Sequence, residues 1–348
     1  MSKNARGETG MMTVRLEARG FGPEYHIDGD RHIATTWPEL VHAAITVGRR
    51  GLRDVLAHGR YSTFEMHYRA AMLLANLQQS QGQLRKSDAY RHLDPSEKGA
   101  ASYFVGLTLA KLMARRLLGI NWLMHLDVYH DSLQPDLLES GRPDLVGLDA
   151  RCQWHVIEAK GRSNGLDGSV VLKAKEQTLK LRTVRGRAPV LRIASVAHFT
   201  RQSLSLRLED PVGQDIDVVD WDFTENQFLR DYYDPFAALI DQNGRSGIGE
   251  LNAREQSETV SGMDFVVAEL PDADLAIGLE RSIYEFHRSA DDVGDAIHPA
   301  LELASAIDSG GFGRIDAPQT TDGDSSSVFV GPDGILVRVG RIWLDSNE

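Results

Sequence analysis

The chain has 348 residues, 42% of them hydrophobic and 25% charged, with a formal net charge of −12 and a single cysteine, Cys152. Such a composition excludes wholesale disorder. One cysteine excludes both an intramolecular disulfide framework and a cysteine-built zinc site.

The length exceeds that of an ordinary single domain, so one enlarged core or two domains is expected. The opening MSKNARGETGMMTVRLEARG carries no apolar stretch of signal-peptide length. The most apolar long segment, 100–126, is interrupted by Lys111, Arg115 and Arg116, too many charges for a membrane span. A cytoplasmic setting without a membrane partner is the expectation.

In chain order, 12–18 has strand character, and 36–81 reads as helices begun by Trp37-Pro38-Glu39 and broken at Gly59. Asp94-Pro95-Ser96-Glu97 is the signature of a helix start: an N-cap, a proline at the first helical position and an acidic residue three after the cap. The helix it opens is expected to end at Gly119. Strand-like runs follow at 120–129, 144–148 and 153–159. A helix is predicted over 168–184 from Val171, Ala174, Leu179 and Leu181, then a nearly continuous apolar strand over 189–199. Two further strands, 204–208 and 215–221, bracket a turn with Pro211 and Gly213, and 224–240 reads as an aromatic-rich helix. The polar, glycine-containing stretch 241–262 has linker composition. Beyond it a strand at 265–268, helices around 275–288 and 296–307, an acidic loop at 309–326 and a hairpin pairing 328–330 with 335–339 across Gly331-Pro332-Asp333-Gly334 are expected. The resulting division is a mainly helical region 1–93, a core 94–240, a linker 241–262 and an acidic α+β region 263–348.

The acidity is regional. Residues 263–348 hold 17 acidic and 5 basic side chains, which leaves 33 of each in residues 1–262. Residues 160–192 carry nine basic side chains against Asp167 and Glu176, a local +7. A basic segment inside a balanced core is the footprint expected of a phosphate-binding surface. The acidic region is a candidate surface for a protein partner.

Two short motifs carry the chemistry. Arg142-Pro143-Asp144-Leu145-Val146-Gly147 is followed, fourteen residues after the aspartate, by Trp154-His155-Val156-Ile157-Glu158-Ala159-Lys160-Gly161. On adjacent antiparallel strands Asp144 and Glu158 come side by side. Two carboxylates and the Ala159 carbonyl are hard oxygen donors of the kind magnesium requires, with positions left for water and a phosphate oxygen. Lys160, two residues after Glu158, points to the same face. There it orients or deprotonates a water, or neutralises the scissile phosphate; the spacing fits either role. Glu97 is more easily explained as the closing member of a capping box with Asp94. His125, His130, His155 and His198 form no close metal-binding pair, and no Gly-Lys-Ser/Thr ending follows the glycines at 161–165.

The pair RPDLVG and VIEAKG resembles the PD-(D/E)xK nuclease superfamily, over about residues 94–221. The resemblance implies an α/β fold, a restriction-endonuclease-like, mixed four-stranded core sheet flanked by helices, here with a helical N-terminal and an acidic α+β C-terminal extension. It matches Asp144, Glu158 and Lys160 to the motif's aspartate, acidic residue and lysine, and implies a Mg2+ cofactor for which Mn2+ substitutes. It also matches Glu97 to an auxiliary acidic residue on the preceding helix, and Gln177 to a polar residue on the following one. Leu181 stands where the RecB-like subgroup carries a tyrosine. Lys173, Gln177 and Lys180, at i, i+4 and i+7, and Lys175 beside them, are expected to approach a phosphate backbone. The implied activity is a metal-dependent endonuclease of restriction or defence type, acting on DNA, with a homodimer left open. The alternative is a non-catalytic nucleic-acid-binding or assembly subunit that keeps the fold.

Overall fold

The computed structural model describes residues 11–47, 60–126, 142–210, 219–221, 224–245, 256–289, 298–308, 319–320 and 326–345. The fold is mixed α/β. Its larger sheet has nine strands, five more than the four expected of the core. In chain order they are β1 (Met12–Arg19), β2 (Gly29–Thr35), β3 (Leu77–Ser80), β4 (Gln83–Lys86), β5 (Trp122–His125), β6 (Leu145–Leu148) and β7 (Trp154–Gly161), then β9 (Leu191–Thr200) and β10 (Ser203–Glu209), with the short β8 (Leu181–Val184) intervening outside this sheet. β5, β6 and β7 are antiparallel neighbours, β7 runs parallel to β9, and β9 returns antiparallel to β10. β1 extends the sheet parallel to β10 and carries β2 on its outer edge. β7 and β9 are buried through most of their length, as expected of strands covered on both faces.

Helices lie on both sides. α1 (Trp37–Thr46) and α2 (Arg60–Asn76) precede the short α3 (Asp88–His92) and the long α4 (Pro95–Leu118). α4 starts as expected: Asp94 accepts from the backbone of Ser96 and Glu97, Glu97 accepts from the Asp94 N–H, and Gly119 closes the other end in left-handed conformation. Its inner face packs on β7 and β9. α5 (Gly168–Thr178), N-capped by Asp167, also packs against β7 and β9.

The helix expected over 168–184 stops at Thr178. Leu181 has helical spacing from Val171 and Ala174, but it is buried in β8, which pairs with β11 (Val219–Trp221) instead. The segment expected to be wholly helical at 36–81 ends in β3, paired with β4. The breaks and turns read at Gly59, Pro211 and Gly213 lie outside the described residues, as does most of the acidic loop.

The second sheet orders β12 (Gln256–Val260), β13 (Met263–Leu270), β14 (Leu275–Glu280), β17 (Ile335–Val339), β16 (Ser327–Val330) and β15 (Gln319–Thr320). It is accompanied by α6 (Glu225–Arg245), α7 (Arg281–Arg288), α8 (Pro299–Asp308) and the terminal α9 (Arg341–Leu344). Two expectations are corrected here. The range 241–262 holds the end of α6 and all of β12. The helix placed at 275–288 is a strand up to Glu280, where Gly278 lies between Val267 and Leu336 and an added Cβ would sit 3.2 Å from each, closer than ordinary contact.

The acidic region is built into the core. The Asp333 carboxylate, in the turn between β16 and β17, is fully buried and accepts from His42 Nε2 of α1 (2.9 Å) and the Tyr232 hydroxyl of α6 (2.6 Å). The Lys111 ammonium of α4 lies 3.7 Å away and also donates to Tyr232 (2.8 Å). Tyr233 donates to the Asp333 carbonyl and accepts from the Trp122 indole (2.6 Å). Arg115, next on the buried side of α4, pairs with Glu39 of α1. Two of the charges that argue against a membrane span at 100–126 are therefore interior partners. Among the described residues no helix is long and apolar enough to cross a membrane.

Candidate active site

β6 and β7 pair in register from Leu148 with Trp154 to Leu145 with Ile157. One step further along the same register lie Asp144 and Glu158, at the point where the ladder ends. Their side chains replace it. The Asp144 N–H donates to Glu158 Oε2 (2.8 Å), and Asp144 Oδ2 accepts from the Ala159 N–H (3.1 Å). A strand residue's N–H and C=O leave on the same edge, so the Ala159 carbonyl shares the edge facing Asp144. The Lys160 ammonium contacts Glu158 Oε1 and lies 3.9 Å from Asp144 Oδ2.

Burial separates the three side chains. Glu158 is 0% exposed, whereas Asp144 and Lys160 reach solvent at 23% and 32%. The loss of water around Glu158, and then the neighbouring Asp144 carboxylate, push its carboxyl up to about 7 against the opposing pull of Lys160. A buried carboxylate beside a second carboxylate is short of positive charge.

The strand end is held from behind by α4. A Cβ on Gly161 would overlap the Ser102 carbonyl, and one on Gly106 would come within 2.9 Å of the Lys160 carbonyl oxygen. Only glycine allows this approach of helix to strand. Because side chains alternate along a strand, Gly161 and Ala159 face α4, while Glu158 and Lys160 face the opposite side, where α5 packs.

The structure thus brings Asp144, Glu158, Ala159 and Lys160 together. Gln177 sits half-buried on α5, on the triad's side of the sheet. Glu97 is exposed and engaged in the α4 capping box, the bland alternative to an auxiliary role. Of the lysines expected on one helical face, Lys173 is exposed on α5, Lys175 is paired with Glu209 of β10, and Lys180 lies past the end of the helix. The local +7 is also partly spent internally: the Arg192 guanidinium donates to the carbonyl of Arg182 (2.9 Å), and Arg185 pairs with Glu225 (2.7 Å).

His155 is buried, 3.3 Å from Asp149, and His198 is buried with its pKa pushed down by burial; His125 is half-buried, and His130 lies outside the described residues. Among the described residues no group of three or more His, Cys, Asp or Glu side chains is arranged to hold a metal. A cation here would be held by two carboxylates and a backbone carbonyl, a sparse set of hard donors that suits magnesium, which keeps several waters.

Sequence reasoning missed Lys86. Its ammonium donates to the Ser163 carbonyl (2.7 Å), in the loop after β7, and lies 4.8 Å from the centre of the Phe199 ring. Its partner is a backbone carbonyl 77 positions away, so no local pattern marks it. No family model, curated protein or solved structure matches this chain.

Proposed function

We propose that the chain is a Mg2+-dependent nuclease of the PD-(D/E)xK type, with residues 94–240 as its restriction-endonuclease-like core and DNA as its substrate. The observation that carries the reading is the meeting of Asp144, Glu158 and Lys160 where the β6–β7 ladder ends. The order α4, β5, β6, β7, α5, β9, with β7 parallel to β9, supports it, being the mixed arrangement that the sequence resemblance implies.

The residues fit the cation. Glu158, deprived of water, and Asp144, partly open, are two anions with one lysine between them, and the Ala159 carbonyl lies on their edge. When bound, Mg2+ supplies Lewis acidity toward a phosphoryl oxygen and a water of lowered pKa. Asp144 and Glu158 hold the cation against the strand ends. Lys160, partly exposed at the mouth, neutralises charge on the phosphate or fixes the attacking water. Gly161 and Gly106 let the strand end lie close against α4, and a displacement of about 1 Å would disturb such chemistry. Gln177 and the exposed Lys173 on α5 are proposed to face the substrate backbone.

The test is incubation of the protein and its Lys160→Ala form with circular and linear DNA and with RNA, with and without Mg2+ or Mn2+. Metal-dependent cleavage by the wild type alone is the expected result, and its action on circles separates endonuclease from exonuclease. No cleavage of any substrate overturns the reading. Metal-independent binding without cleavage would favour a non-catalytic subunit.

A further inference from the structure

α2 buries apolar side chains on one face and carries exposed rings on the other. Met66, Ala70 and Leu73 are buried, and the Arg69 guanidinium ties the helix to the Val47 carbonyl at the end of α1 (2.6 Å). On the other side Phe64 and Tyr68, one turn apart, are 58% and 55% exposed. Tyr68 meets Phe104 of α4 edge-on at 5.8 Å, and Phe104 meets Tyr103 at 5.6 Å. Tyr103 is 40% exposed and follows Ser102, whose carbonyl abuts Gly161. The exposed rings of Tyr68 and Tyr103 are thus joined through half-buried Phe104, in a line from α2 across α4 to the turn that abuts Gly161, with Phe64 one turn away on α2. Scattered surface apolar residues need no explanation, but a contiguous aromatic strip does.

Cations flank its inner end. Lys86 is anchored over the loop after β7 and Lys98 sits one turn before Ser102 on α4, next to the exposed Glu97, while Arg162, after Gly161, pairs with Asp167 (3.7 Å). The carboxylate of Glu65, beside the strip, is neutralised by Arg69 (2.9 Å).

We infer that Phe64, Tyr68 and Tyr103 form a stacking platform for unpaired bases, which delivers single-stranded nucleic acid to the β7 strand end. The role in delivery rests on the proposed nuclease reading; the binding does not. Aromatic faces bind any base by stacking, and flanking cations track the backbone. A duplex keeps its base faces covered, so the strip favours single strands, overhangs or opened junctions.

The experiment is fluorescence anisotropy of the full-length chain in EDTA, with a labelled oligothymidine of about twelve nucleotides and a duplex of equal length. Phe64→Ala, Tyr68→Ala and Tyr103→Ala should each weaken single-strand binding roughly tenfold. Tyr68→Phe and Tyr103→Phe should bind as the wild type does, and duplex affinity should stay within about twofold in every variant. Because anisotropy in EDTA reads binding without metal-dependent cleavage, a wild type that binds oligothymidine yet never cuts DNA separates failure of the nuclease reading from failure of this one. Unchanged single-strand affinity overturns the inference, as does an equal loss on duplex. An altered oligomeric state in size-exclusion chromatography with unchanged affinity reassigns the strip to a protein contact.

Discussion

Asp333→Asn removes one charge from the centre of the molecule while keeping the side chain's shape, and its amide offers an acceptor to only one of His42 and Tyr232, which now bond to different oxygens. Burial alone would raise the Asp333 pKa. It is outweighed by His42, Lys111 and the Tyr232 hydroxyl, which hold the carboxyl well below the usual range. Lys111 is itself pushed down to about 8, chiefly by burial and in spite of Asp333. Without Asp333 the lysine is a buried cation with only the Asn121 carbonyl and the Tyr232 hydroxyl beside it. Removing one member of a buried ion pair costs about 3–5 kcal/mol. With an unfolding entropy near 2.1 cal/mol/K per residue, the 348-residue chain should lose roughly 4–7 °C of Tm. Calorimetry on Asp333→Asn, Lys111→Met and the double variant tests the cause. The double should be milder than the sum of the singles by more than about 1 kcal/mol. Additive effects, or a single cost below about 1 kcal/mol, would refute the pairing argument.

Gly161→Ala should lower both activity and stability, the latter by about 1–3 kcal/mol, because its methyl group overlaps the Ser102 carbonyl; hydrogen exchange along α4 reports the displacement. Glu158, at about 7 in the folded state against an ordinary 4.5, makes the native state bind more protons than the unfolded one between those values. Its stabilising effect is therefore complete below about pH 4.5 and is lost as pH rises to 7 in metal-free buffer. His298, pushed down to about 3 by burial, works oppositely between pH 3 and 6.5, so the Glu158 effect is read as the difference between the wild type and Glu158→Gln in urea titrations. A variant curve parallel to the wild type would count against it. Lys86→Met should speed amide exchange over residues 162–167 and cost about 1 kcal/mol, since the Ser163 carbonyl loses its donor; unchanged exchange would show that the loop is held otherwise.

What the sequence disclosed follows from locality. Asp94, Glu97 and Gly119 fix α4 through neighbours two to five residues away, and the apolar run ending at Glu158 is a strand by length and flanks. Asp144 and Glu158 were legible because a motif joins them. The C-terminal hairpin was legible from Gly331 to Gly334, whose last residue has φ +73°. Leu275 to Glu280 was not, because a short apolar run preceding a helix has no period of its own. Lys111 and Arg115 read as ordinary charges on α4, since their partners Asp333 and Glu39 lie far along the chain. The exposure of Phe64 and Tyr68 was equally hidden: spacing shows that two rings share a face, and only packing shows which face is outward.

The most direct measurement is nicking of supercoiled plasmid in Mg2+ by the wild type beside Asp144→Asn, with calorimetry showing both folded. Conversion to nicked and linear forms by the wild type, abolished in Asp144→Asn and in EDTA, is the predicted result. Equal cleavage by both proteins, or persistence of cleavage in EDTA, would contradict the account.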